Sequence, residues 1–76
     1  MVCVLKELNQ LASGEVKFYV EVYSKEDNAV AAMKEQAESY VEEYNATIVS
    51  ENPESIELRD TKGNKYKFSI DTVEIK

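Results

Sequence analysis

Seventy-six residues suffice for one domain with a small core, and a 43% hydrophobic content is too high for a disordered tail. A net charge of −6, with 15 acids against 9 lysines and arginines, argues against general binding to nucleic acid or anionic membranes, since both need a basic surface. Histidine is absent and Cys3 is the single cysteine, which removes the usual general base, the commonest metal ligand and any intramolecular disulfide.

At the N-terminus, Val4, Leu5, Leu8, Leu11 and Ala12 fit one helical face. The spacing predicts a short helix ending before Ser13-Gly14, with a strand over Val2–Leu5 as the alternative. Lys6 and Glu7 interrupt the apolar run, so no signal peptide is expected, and no segment approaches a membrane-spanning length. With a lone thiol, a reducing cytoplasmic setting is the expectation.

Glu15–Tyr23 alternates cleanly. Val16, Phe18, Val20 and Val22 share one face, which the alternation predicts to point inward; Lys17, Tyr19, Glu21 and Tyr23 share the other. Ser24–Asn45 then reads as one long helix, opened by a near capping box (Ser24, Asp27) and stopped at Asn45. At about 100° per residue, Ala29, Val30, Met33, Ala37, Tyr40, Val41 and Tyr44 form an apolar stripe suited to lie on a sheet. Three strand-like runs follow: Ala46–Ser50, Glu54–Asp60 with Ile56 and Leu58 inward, and Lys65–Asp71 with Tyr66, Phe68 and Ile70 inward. Asp60-Thr61-Lys62-Gly63-Asn64 reads as a hairpin turn, and Ser50–Pro53 as a second tight connection. Because Val73 and Ile75 break the parity after Ile70, either a bulge near Thr72 is expected or the last residues pack elsewhere. On this parity both Val20→Ala and Phe68→Ala should cost roughly 2–5 kcal/mol.

The predicted architecture is α+β in a single domain over residues 1–76: a short N-terminal helix, then β-α-β-β-β, with one long helix across a mainly antiparallel four-stranded sheet. This order resembles that of cystatin-like folds. Where protease-inhibiting cystatins place a glutamine–valine–glycine loop after the second strand, this chain has Ser50-Glu51-Asn52-Pro53-Glu54. The resemblance is thus one of topology and implies no protease inhibition.

No catalytic constellation is expected. Cys3 has no histidine to activate it, two glycines cannot build a phosphate loop, and helical carboxylates lack the loop geometry that wraps a cation. A non-enzymatic protein without metal or cofactor is the reading. The signal that remains is local charge. Ser24–Asn45 holds six acids and two lysines, a net −4 of the total −6. Asp27, Glu35, Glu38 and Glu42 fall within roughly 80° of helical arc, and Glu35/Glu38 and Glu38/Glu42 are like-charge neighbours that cost a few tenths of a kcal/mol each. A solvated face kept acidic for solubility is the plain account. The functional one is an inhibitor or adaptor docking a protein with a basic surface, with Asp27, Glu35, Glu38 and Glu42 as its contacts. A nucleic-acid mimic, whose carboxylates stand in for phosphates in the groove of a DNA- or RNA-binding enzyme, is an alternative. The third class is a structural, homodimeric or engineered domain without a heterologous partner. Tyr19 and Tyr23, expected on the sheet face away from the helix, are its interface candidates.

Overall fold

Residues 1–74 are described by a computed structural model. They form β1 (Val2–Gln10), β2 (Val16–Tyr23), α1 (Glu26–Tyr44), β3 (Thr47–Asn52), β4 (Ser55–Arg59) and β5 (Lys65–Val73). The strands make one antiparallel sheet in the order β2-β1-β5-β4-β3, and α1 lies on one face against β1, β5, β2 and β4. The α+β class and the helix-on-sheet layering are as expected. The sheet has five strands, however, and the N-terminal segment is not a helix.

Val2–Gln10 is a strand because its alternation outweighs its helical stripe. Cys3, Leu5, Glu7 and Asn9 are buried beneath α1, while Val4, Lys6 and Leu8 are half-buried on the open face. Both edges of β1 are paired, one with β2 and one with β5. A segment held by two ladders gains far more from pairing than Leu8 and Leu11 would gain on an isolated short helix.

Two turns of the same build close hairpins at one end of the sheet. In Leu11–Glu15 the Leu11 N–H donates to the Glu15 carbonyl at 2.8 Å, and in Asp60–Asn64 the Asp60 N–H donates to the Asn64 carbonyl at 3.0 Å. The fourth residue of each is a glycine with positive φ, 95° at Gly14 and 89° at Gly63, a conformation that side chains with a Cβ resist. The turns touch, with the Ala12 N–H donating to Asn64 Oδ1 at 2.8 Å.

The core comprises Cys3, Leu5, Ala29, Met33, Ala37, Ala46, Ile56, Leu58, Tyr66, Phe68 and Ile70. The inward parity of β4 and β5 is therefore as the alternation predicts, whereas that of β2 is reversed. Val16, Phe18, Val20 and Val22 are 50–63% exposed on the open face. Lys17, Tyr19, Glu21 and Tyr23 face the helix side, because they pair with Asn9, Glu7, Leu5 and Cys3. Alternation defines two faces but does not say which is covered. Here the partner decides: Cys3 and Leu5 must go inward, and the turn at Leu11–Glu15 sets the register that carries Tyr19 and Tyr23 with them.

The helix runs Glu26–Tyr44 with Lys25, not Ser24, at its N-cap, and no side chain caps it. Glu26 and Asp27 complement the positive end of the helix dipole. Asn45 stops it as expected, in the left-handed conformation at φ 53° with its N–H donating to the Tyr40 carbonyl. The expected bulge at Thr72 is absent, since β5 pairs with β1 without interruption through Val73; Ile75, which shared in that expectation, lies outside the described residues. The register shift lies instead in β3, between Ile48 and Ser50. Among the described residues no helix is long and apolar enough to cross a membrane.

Candidate functional site

The helix buries Ala29, Met33 and Ala37 on the sheet. At about 100° per residue Glu42 projects roughly 180° from Met33, with Glu35, Glu38 and Asp27 within about 60° of it. All four are exposed. The four acids named from the sequence thus form the outer crest of the molecule. Lys65 and Lys67 point the other way, because they alternate with the buried Tyr66 and Phe68 and sit on the open face. The one ion pair among the described residues, Lys6 with Asp71, is also on the open face. Among the described residues no lysine or arginine forms an ion pair with the crest carboxylates, and Lys34, one turn before Glu38, is the basic residue nearest to them along the helix.

A second feature lies beside the C-terminal half of the helix. A cleft of about 720 Å³ opens between the helix, the sheet and the Asp60–Asn64 turn. Tyr19, Tyr40, Tyr44 and Tyr66 line it together with Glu7 and Asp60. The rings of Tyr40 and Tyr66 are 4.9 Å apart and those of Tyr44 and Tyr66 stack at 5.9 Å, within the range of favourable aromatic pairs.

Two carboxylates anchor this wall. Glu7 is buried and accepts from Asn9 Nδ2 at 2.7 Å and from the Tyr40 hydroxyl at 2.5 Å. Asp60 accepts from the Tyr66 hydroxyl at 2.9 Å, Asn64 Nδ2 at 2.8 Å and the backbone N–H groups of Lys62 and Asn64 at 2.9 Å. Burial by itself would raise the Asp60 carboxyl, but the donors from Asn64, Tyr66 and Lys62 together hold it below the ordinary carboxylate value. The same contacts act oppositely on the phenols. Burial and the bond to Asp60 push Tyr66 up to about 12, and burial with the bond to Glu7 raises Tyr40 further still. Asn9, 7% exposed, has its Oδ1 without a hydrogen-bond partner.

Tyr19 and Tyr23 are therefore not on the face away from the helix. Tyr19 stands in the cleft wall, and Tyr23 packs at the core margin with its hydroxyl donating to Glu21. Sequence reasoning missed Glu7 and Asn9, whose alternation with Val4, Lys6 and Leu8 was the available signal. It saw Asp60 and Asn64 only as turn formers. Among the described residues, no group of three or more His, Cys, Asp or Glu side chains is placed to hold a metal ion. The cleft offers carboxylate and amide acceptors and tyrosine faces, which suits hydrogen-bond donors and cations. No protein-family model matches this chain, and no curated protein or solved structure matches it either.

Proposed function

We propose that this chain is a small protein-binding domain, an inhibitor or adaptor, that docks a basic partner through the outer crest of α1. The observation that carries the reading is that Asp27, Glu35, Glu38 and Glu42 are exposed on one arc and, among the described residues, form no ion pair. Like charges three and four residues apart destabilise a helix slightly, so the arrangement opposes the stability of the helix that bears it. A partner's lysines and arginines would relieve that repulsion. Exposed charges of this kind steer encounter and orient docking more than they add affinity, and salt screens them.

The test is capture from host lysate with two baits, wild type and Glu35→Gln/Glu38→Gln/Glu42→Gln, the variant first shown to keep its far-UV circular dichroism. A partner held by wild type, lost with the variant and weakened as salt rises supports the reading. A partner retained equally by both baits makes the crest a solvating surface only. Displacement of the partner by added nucleic acid would assign it to the nucleic-acid-binding class and make phosphate mimicry the mode of docking.

A further inference from the structure

We infer that two copies of this chain join edge to edge through β2, antiparallel, about a twofold axis at Tyr19. This surface is separate from the acidic crest, and the inference does not rest on the function proposed above.

The two edges of the sheet differ. At β3 the edge is short, its register is broken between Ile48 and Ser50, and Pro53 follows directly. These are the usual devices that keep an edge from recruiting another strand. At β2 the edge runs for 8 residues in unbroken register with β1, without bulge or proline. Its backbone polarity can be assigned. The Leu11 N–H to Glu15 carbonyl bond makes 11 and 15 a hydrogen-bonded pair, and such pairs alternate along an antiparallel ladder. The N–H and C=O groups of Lys17, Tyr19, Glu21 and Tyr23 are thus spent on β1. Those of Val16, Phe18, Val20 and Val22 point outward, unpaired among the described residues.

The same four residues carry large apolar side chains that the fold leaves open, with Phe18 at 57% and Val22 at 63% exposure. An isologous contact needs a strand that complements itself. A twofold axis normal to the sheet pairs only residues of equal parity, which leaves few registers. Centred on Tyr19, the pairing sets Val16 against Val22 and Phe18 against Val20 of the second copy. It also sets Lys17 against Glu21, and by symmetry this ion pair forms twice. Centring on Val20 instead sets Lys17 against Tyr23 and leaves both charges unmatched. Centring on Phe18 sets Glu15 against Glu21, a like-charge clash. Charge selects the Tyr19 register, and in it β2 has no net charge although the chain carries −6. The product is one continuous sheet with five strands from each copy, both helices on the same face and the apolar strips side by side.

Sedimentation equilibrium across a concentration series tests this on the full chain. Wild type should approach twice the chain mass, and the Phe18 and Val20 amides should exchange slowly with deuterium. Val20→Pro removes an outward N–H while leaving the β1–β2 ladder bonds in place, so it should give a folded monomer. Should that variant fail to fold, the charge pairs decide. Lys17→Glu and Glu21→Lys should each raise the dimer dissociation constant by roughly tenfold or more, and the double swap should restore it. A wild-type monomer at all concentrations overturns the inference. So does a dimer that survives Val20→Pro, which would mean the open faces stack instead, or a double swap that rescues nothing.

Discussion

Asp60 concentrates more hydrogen bonds than any other side chain described, tying the β4–β5 turn to Tyr66 in the core. Its carboxyl is held below the ordinary value. A depressed folded-state value means the unfolded chain takes up the proton first, so this contribution is complete above the ordinary carboxylate range and is lost as pH falls through the folded value. Asp60→Asn should lower stability by about 1.5–3 kcal/mol at neutral pH and flatten the acid limb, read from urea midpoints against pH. At the alkaline end the sign reverses. Tyr40 and Tyr66 have raised values, so their hydroxyls stabilise the fold fully below the ordinary tyrosine range, and that stability is lost as pH rises toward about 12. Tyrosinate absorbance should show a late-titrating fraction that moves to ordinary pH when the chain is unfolded in denaturant. None of this was legible beforehand, because a turn aspartate and two tyrosines reveal their partnership only once the register brings them together.

At the scale of the element, β2 and β5 make the informative contrast. Both alternate apolar and polar residues, yet Phe68 is fully buried and Val20 is half exposed. Phe68→Ala should cost about 3–5 kcal/mol and lower the melting temperature by well over ten degrees in a domain this small. Val20→Ala should cost under about 1 kcal/mol, which revises the equal penalties expected from alternation alone. Thermal melts of the two variants check both figures. The helix, its stop at Asn45 and the Asp60–Asn64 turn were legible in the sequence because each is encoded by neighbours a few residues apart. The identity of Val2–Gln10 was not, because its second ladder is with β5, more than fifty residues away, and the facing of β2 follows from that of β1 through the Leu11–Glu15 turn. The acidic arc was legible as an arc, while its place at the outermost point of the molecule came from packing. The cleft beside Glu7 and Asn9 was hidden by the misread first strand.

For the whole molecule, the sheet order determines how its surfaces divide. The helix packs on β1, β5, β2 and β4 and turns its acids away from the sheet. Docking at the crest and pairing at β2 are then compatible, and the Gln-substituted variant should keep the mass of wild type while losing its partner. The same order has a consequence for the birth of the chain. The central ladder joins Val2 to Val73 and Leu5 to Ile70, strands separated by nearly everything else in the sequence. Its loop closure is the longest among the ladders of the sheet, and the reward for it comes last. During synthesis, β1, β2, α1, β3 and β4 therefore emerge without the strand that unites them, and the core residues Leu5, Met33 and Leu58 wait in water for Phe68.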